Sequence, residues 1–228
     1  MNITYLELLT KDLQAQRNFY SHVLRLPVTL SDSRLEIKAG KTDLVFTQAE
    51  SDFDGAYHFA FNIPENQFRV AKAWISSRIP LLHDEIGKDE FESESWNSHS
   101  VYFKDMAGNV LEFIARHNLK NAVQGDFDSG QILNVSEIGL PSEDVIAFAN
   151  ELCIQLGLSV FKQEPGALLG LVDPYFDQAC GSNVTVLVTD VMRLPEPTGQ
   201  GPVVLAQLRE HIQRLHEIGI IIEDSLSS

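Results

Sequence analysis

The chain has few cysteines and few cationic side chains, and each shortage argues against a class of protein. Its 228 residues include two cysteines, Cys153 and Cys180, which lack the spacing of a metal site and are not expected to form a disulfide. The 17 lysines and arginines face 32 aspartates and glutamates, which gives a formal net charge of −15. Because a negative surface repels phosphate, we expect neither nucleic acid nor an anionic membrane as a partner.

Targeting signals and long apolar runs are also missing. The N-terminal letters MNITYLELLTKD show no basic segment followed by an apolar one, so we expect no secretory signal. No apolar run approaches the length that spans a bilayer. Phosphate-binding glycine loops, dinucleotide fingerprints and nucleophile elbows are absent. With 44% hydrophobic and 21% charged residues, the composition predicts a globular, cytoplasmic protein.

The sequence does contain a pattern that occurs three times. Short strands with alternating polarity, each leading into an amphipathic helix, are predicted at residues 3–9, 57–63 and 135–140. Tyr5, His58 and Glu137 occupy the same position in these strands, and all three can bind a ligand or a metal ion. Repeated units of this kind can arrange polar side chains around one shared cavity.

Each unit is predicted to follow the order β-α-β-β-β, which makes the fold α+β. The predicted helices cover residues 13–24, a segment beginning near 64, 143–156 and, outside the units, a C-terminal helix over 203–218. We expect two modules paired as half-barrels around a cleft over 1–118, a linker over 119–131, and a third, more divergent module over 132–228. The acidic stretch 83–94 is predicted to be a solvated loop over the cleft entrance.

Strand alternation assigns side chains to two faces of each sheet. The residues predicted to face the helices are Leu6, Leu8, Phe59, Phe61, Leu111, Phe113, Ile138 and Leu140. The residues predicted to lie on the open face are Tyr5, Glu7, His58, Ala60, Asn62, Val110, Glu112, Ile114, Val135 and Glu137. Any site of chemistry is therefore expected on the open face.

Two segments resemble the vicinal oxygen chelate superfamily, which includes glyoxalase I, extradiol ring-cleaving dioxygenases, and fosfomycin- and bleomycin-resistance proteins. Residues 12–27 contain DL…NFYSHVLRLP and are similar to the family's first helix, with Arg25 in place of the usual glycine. Residues 100–114, SVYFKDMAGNVLEFI, are similar to its last hairpin, with Met106 in place of the usual proline. The resemblance covers residues 1–117 and is weaker in the third unit.

The resemblance implies a divalent metal ion, such as Zn, Fe, Mn or Ni, bound by the first and last strands of each unit. His58 and Glu112 match the family's ligand positions, and Glu112 would also act in catalysis. Val45 cannot bind a metal, and Tyr5 is an uncommon substitute for the expected histidine. Glu7, on the face of Tyr5, is the candidate third ligand, with a polar cavity wall or an ion pair as the alternative.

The remaining candidate residues have weaker assignments. His99 is a candidate proton shuttle, because an ordinary imidazole titrates near neutral pH, or else a half-exposed strand-edge histidine. Tyr5, Asn62 and Trp96 are candidates for substrate binding, with Tyr5 donating a hydrogen bond to a substrate oxygen. Glu137 is expected to be a simple surface carboxylate, since no acid on the predicted last strand of its unit would complete a site there.

Three functions from different classes fit these observations. The first is a metal-dependent enzyme, a glyoxalase-like isomerase or lyase or a ring-cleaving dioxygenase, that acts on two neighbouring oxygens of a small substrate. The second is a metal-free small-molecule binding protein of the bleomycin-resistance kind. The third is a role in assembly for the third unit, in which residues 134–189 pack against a second chain, as in a homodimer, or back onto the first two units.

Overall fold

A computed structural model describes residues 3–53, 55–84, 86–94, 96–142, 150, 154, 159–164, 168–172 and 185–190, and it describes the strands beyond residue 139 by their backbone. The helix predicted over 143–156 lies outside these residues except at positions 150 and 154, which are helical. The predicted C-terminal helix over 203–218 and both cysteines lie outside them.

The first unit forms a four-stranded sheet by itself. Its elements are β1 (Tyr5–Thr10), α1 (Leu13–Asn18) continued by a π-helical turn (Phe19–Val23), β2 (Val28–Leu30), β3 (Arg34–Ala39) and β4 (Thr42–Gln48). The strand order is β1-β4-β3-β2, with β1 parallel to β4 and the other pairs antiparallel. The predicted order β-α-β-β-β is confirmed for this unit.

The second and third units share one eight-stranded sheet. The second unit contains β5 (His58–Ile63), α2 (Phe68–Ser76), β6 (Phe91–Ser93), β7 (Ser98–Lys104) and β8 (Val110–Arg116). The third contains β9 (Asn134–Ser142), β10 (Ser159–Glu164), β11 (Leu168–Val172) and β12 (Thr185–Asp190). The order across the sheet is β10-β11-β12-β9-β5-β8-β7-β6. The described residues therefore form an α+β fold with two mixed sheets and few helices.

The pairing of units differs from the expectation that the first two share one cleft. β5 pairs with β9 in antiparallel fashion, whereas β1 pairs with β4 of its own unit. The second unit is thus joined by strand hydrogen bonds to the third. The expectation that residues 134–189 pack back onto the preceding units is confirmed for β9, which pairs with β5 of the second unit.

A β-bulge at Ser136 changes the predicted faces of β9. Phe61 pairs with Val135, but the next residue back, Ala60, pairs with Glu137, so Ser136 is an extra residue in β9. Val135 is consequently buried in the core and not on the open face, and its predicted side was wrong. Glu137 still lies on the open face, because the bulge restores the alternation one residue later.

One apolar core holds the described units together, and the predicted helix-facing residues up to Ile138 occupy it. Leu8, Phe59 and Phe61 are buried within it. Asp105, in the turn between β7 and β8, joins the first unit to the second by accepting hydrogen bonds from Gln16 Nε2 at 2.7 Å and from the Tyr20 hydroxyl at 3.3 Å. The helix α1 thereby has a fixed position against the β7–β8 turn.

The segment predicted as a linker packs closely along α2. Phe127 is buried, with its ring centroid 5.5 Å from that of Trp74 and 5.8 Å from that of Phe113. Asn66 Nδ2 donates to the carbonyl oxygen of Val123 at 2.8 Å. These contacts guide the chain from β8 to the start of β9.

Candidate metal centre

Three side chains that can bind a metal ion meet on the open face of the eight-stranded sheet. His58 on β5, Glu112 on β8 and Glu137 on β9 each offer one ligand atom, and these atoms lie within 4.8 Å of one another. His58 Nε2 is 3.5 Å from Glu112 Oε2. No other group of three His, Cys, Asp or Glu ligands occurs in the part of the chain that the structure describes.

Strand register explains why these residues meet. Ala60 on the central strand β5 pairs with Glu112 on one side and with Glu137 on the other. Paired residues in neighbouring strands share a face, and His58 lies two residues from Ala60 on that same face. The methyl side chain of Ala60 leaves room between the two carboxylates.

The orientation of His58 suits metal binding. Its Nδ1 lies 3.1 Å from the carbonyl oxygen of Val110, which can only accept, so Nδ1 carries the proton and the neutral ring presents the Nε2 lone pair. Burial lowers the pKa of His58, but its hydrogen bond to Glu112 and the charge of that carboxylate raise it, and the net shift is upward. A metal ion at this position would therefore compete with protons for the imidazole.

A buried arginine fixes the second carboxylate. Arg116 donates through Nη2 to Glu137 Oε1 and through Nη1 to Asn62 Oδ1 and Ser136 Oγ, both at 3.0 Å. Burial raises the pKa of Glu137 to about 7, with the charge of Glu112 adding to the effect and that of Arg116 opposing it. With Oε1 of Glu137 held by Arg116, Oε2 is the oxygen left for a cation.

Tyr102 completes the polar surface beside the ligands. It is paired with Glu112 in the β7–β8 hairpin, so both side chains lie on the open face. The charge of Glu112, burial and the charge of Glu137 raise the pKa of Tyr102, which keeps its hydroxyl protonated at neutral pH. Its ring centroid is 6.0 Å from that of His58 and 5.2 Å from that of Phe91. Sequence reasoning missed Tyr102, although its register opposite Glu112 follows from the hairpin.

The donor set fits a divalent transition metal. One imidazole nitrogen and two carboxylates match the ligand types used by zinc, manganese and non-haem iron. Ligand atoms about 2.0–2.2 Å from a common ion lie up to roughly 4.4 Å apart, so donors now within 4.8 Å need only a small contraction. With both carboxylates ionised and His58 neutral, the single charge of Arg116 leaves the buried site with a net negative charge that attracts a cation.

Two of the three residues predicted as metal ligands lie in this group, and its third member is a different residue. His58 and Glu112 converge as the resemblance implied. Glu7 is not in the group, because β1 lies in the other sheet; there the Tyr5 hydroxyl donates to the Glu7 carboxylate and accepts from Arg34 Nη2 at 2.8 Å. Glu7 is therefore not a member of this group, and one of its alternatives, an ion pair, agrees with the structure, in which Arg34 Nη1 lies 3.6 Å from Glu7 Oε2.

Glu137 was expected at the surface, and this expectation was also wrong. Its side chain is only 6% exposed and forms an ion pair with Arg116. The signal that pointed to it was its position in the repeat, which matches that of His58. Alternation alone could not show that the third unit, and not the first, lies beside the second.

His99 does not lie at this centre. It pairs with Ala115 and shares the face of Val101, which α2 covers, whereas Glu112 lies on the opposite face. The ring of Phe68 on α2 packs 5.2 Å from that of His99. The assignment of His99 as the proton shuttle of this site was therefore wrong, for the simple reason that odd and even residues of β7 point to opposite sides.

The predicted substrate-binding residues are distributed over three places. Asn62 lies on the open face, but its Oδ1 accepts from Arg116. Trp96 lies in the turn before β7, where its backbone N–H donates to Ser93 Oγ at 3.3 Å. Tyr5 and Val45 line a separate cavity of about 310 Å³ on the first sheet. Substrate contact by these residues stays a prediction.

Comparison with known proteins agrees with this architecture. No family model and no curated protein matches the sequence. Among solved structures, a proposed dioxygenase from Bacillus subtilis is similar over 88% of this chain and 65% of its own, with a TM-score of 0.60 and 17% identity. A glyoxalase I variant from Zea mays is similar over 82% of this chain and 66% of its own, with a TM-score of 0.54 and 11% identity.

These likenesses establish the fold. The chain shares its fold with the proposed dioxygenase and the glyoxalase I variant, as the resemblance in its first helix and last hairpin implied. It spans less than two thirds of the length of either of these two neighbours. Within the described ranges, no helix has the length and apolarity that crossing a membrane requires.

Proposed function

We propose that this chain is a metal-dependent enzyme of the glyoxalase or dioxygenase type, acting on a small substrate with two neighbouring oxygen atoms. The observation that carries the proposal is the convergence of His58, Glu112 and Glu137 in a buried, negatively charged cluster. Proteins named as glyoxalase I and as a proposed dioxygenase share its fold. These similarities support the class of reaction and leave the substrate open.

A divalent ion bound here would supply Lewis acidity to oxygens of the substrate. The protein's own groups would then orient the substrate and manage its protons. Tyr102 keeps its phenolic proton at neutral pH and can donate a hydrogen bond to a substrate oxygen beside Glu112. Phe91, against the ring of Tyr102, provides an apolar surface for the body of the substrate.

Metal binding is the first test of the proposal. Protein purified without chelators is expected to contain or to take up about one equivalent of Mn, Fe, Co, Ni or Zn, measured by elemental analysis and calorimetry. His58→Gln and Glu112→Gln should each weaken binding at least about tenfold, because each removes a ligand. Glu36→Gln is the matched control, since Glu36 is an exposed carboxylate on β3 of the other sheet. Uptake below about a tenth of an equivalent would overturn the proposal.

A second candidate function rests on the cavity in the first unit. Tyr5 and Val45 occupy the positions that His58 and Glu112 occupy in the second unit, and Val45 has no metal-binding atom. This cavity of about 310 Å³ is of the size that holds a small organic ligand. A metal-free binding protein would bind its ligand equally well after His58→Gln and would show no metal-dependent turnover; loss of binding in that variant would exclude it.

A further inference from the structure

The two histidines on the covered face of the eight-stranded sheet are not used by the candidate metal centre. His99 on β7 and His117, directly after β8, approach each other with His99 Nδ1 2.8 Å from His117 Nε2. Their ring centroids are 5.0 Å apart and their planes differ by 71°. Both side chains are half-buried, so water and small ions can reach them. We propose that this pair is a second, separate metal site, selective for Cu²⁺ and Ni²⁺.

The separation of the two nitrogens is the first argument. A hydrogen bond between two neutral imidazoles contains one proton, which a metal ion can replace if both lone pairs turn toward it. Two nitrogens in adjacent corners of a square, each about 2.0 Å from the ion, lie about 2.8 Å apart, whereas a tetrahedral site needs about 3.3 Å. The observed 2.8 Å matches the square arrangement.

The choice of metal follows from this geometry. Square-planar or tetragonal coordination with nitrogen and oxygen ligands is characteristic of Cu²⁺ and Ni²⁺, and Cu²⁺ also has the highest affinity in the divalent series. Zn²⁺ prefers a tetrahedron, which would require the rings to separate by roughly half an ångström. The ring torsions are broad, so the rotation that aims both lone pairs at one ion has a low energetic cost.

The surroundings favour a cation. Glu92 is the strand partner of His99 and therefore lies on the same face of the sheet. Glu90 is also near, because its pKa, which the hydrogen bond from Lys72 lowers most, also responds to His99. These carboxylates and water can fill the remaining coordination positions. On the other side, the ring of Phe68 restricts His99 to the neighbourhood of His117.

The test is a Cu²⁺ titration of the full-length chain carrying His58→Gln, which weakens the candidate centre on the opposite face. We expect one bound Cu²⁺ with an electron paramagnetic resonance spectrum of tetragonal symmetry and hyperfine splitting from two nitrogens. Calorimetry should place the affinities in the order Cu²⁺, then Ni²⁺, then Zn²⁺. Adding His99→Gln or His117→Gln should each weaken Cu²⁺ binding by more than about tenfold.

Two further variants serve as controls in the same background. His22→Gln removes a lone exposed histidine on the first unit, and His211→Gln with His216→Gln removes the two histidines near the C-terminus. Both should retain Cu²⁺ binding. Circular dichroism of every variant checks that the fold is unchanged. Equal Cu²⁺ binding with and without His99 and His117, or a dependence on only one of them, would overturn the proposal.

Discussion

Among single residues, Glu137 has a charge that depends strongly on its surroundings. Burial raises its pKa to about 7, so near neutral pH it exchanges between carboxyl and carboxylate. Since only the carboxylate binds a metal ion, protons and metal compete for this side chain. Its raised pKa also means that the metal-free folded protein gains stability from protonated Glu137 at low pH and loses it as pH rises through about 7.

Metal affinity should therefore increase with pH. Between pH 6 and pH 8 we expect the dissociation constant to fall by about tenfold or more, measured by calorimetry in a non-coordinating buffer. Over the same range the metal-free protein should lose about 1.4 kcal/mol of unfolding free energy. Glu137→Gln should bind metal more weakly and should show a smaller change with pH in both measurements. An unchanged pH dependence in this variant would contradict the assignment of Glu137.

Tyr57 provides a test at alkaline pH. Its hydroxyl accepts a hydrogen bond from the Leu9 N–H at 3.2 Å, and burial raises its pKa to about 12. Because the folded pKa is above the ordinary value of 10.0, the stability linked to this proton is complete below pH 10 and is lost as pH rises toward 12.

Tyr57→Phe should accordingly reduce the alkaline loss of stability by roughly 2–3 kcal/mol, measured by urea unfolding at pH 9, 10 and 11.5. At pH 7 the same variant should be about 1 kcal/mol less stable, since Leu9 N–H loses its acceptor. Equal pH profiles for the variant and the wild type would show that Tyr57 does not titrate on unfolding in this way.

Among the elements, the turn between β7 and β8 is held in place by several hydrogen bonds to one side chain, Asp105. The carboxylate of Asp105 is buried and accepts from the side chains of Gln16 and Asn109 and from the backbone N–H groups of Ala107 and Asn109. Burial raises the pKa of Asp105, while these hydrogen bonds oppose the rise. The turn thus connects α1 of the first unit to the hairpin that carries Glu112.

Asp105→Ala should lower the free energy of unfolding by about 3–4 kcal/mol, because it leaves several buried donors without a partner. Asp43→Ala is the matched control: Asp43 is exposed and pairs with Lys38, so its loss should cost less than about 1 kcal/mol. Chemical denaturation measures both. Similar costs for the two variants would show that the buried network contributes little.

The strands that the sequence predicted best are those with clear alternation and a clear turn. The sequence pattern, with a turn signal at Gly40, predicts strands over 34–39 and 42–48, and β3 and β4 have these bounds. Gly40 has the left-handed φ of +59° that a tight turn needs. Arg25 also has a left-handed φ, of +55°. This conformation favours glycine, which is the usual residue at this position in the family that the segment resembles. The bulge at Ser136 gave no such signal, so the side of Val135 was predicted wrongly.

For the molecule as a whole, the pairing of units decided which residues form the site. Local patterns identified His58 and Glu112, because both belong to a single unit and its motif. They could not identify Glu137, because three similar units allow several pairings and the choice depends on contacts far apart in sequence. The sequence therefore predicts the modules well and their arrangement poorly.

The junction between the first unit and β9 can be tested at Gly40. A Cβ at this position would lie 2.1 Å from the carbonyl oxygen of Leu133, just before β9. Gly40→Ala should thus lower the unfolding free energy by well over 2 kcal/mol, from steric overlap added to left-handed strain. Gly108→Ala carries only the strain, since nothing lies within 4 Å there, and should cost about 1 kcal/mol. Thermal denaturation compares the two, and equal losses would contradict this close approach.

The extra residue in β9 has a consequence for how such sites can change. Deleting Ser136 would join Val135 directly to Glu137 in a regular ladder, and Glu137 would still pair with Ala60 on the open face. The chain would lose the hydroxyl that accepts from Arg116 but would keep each donor on its side of the sheet. The same one-codon loss at Phe59 of β5, which has no extra residue, would instead move His58 to the covered face.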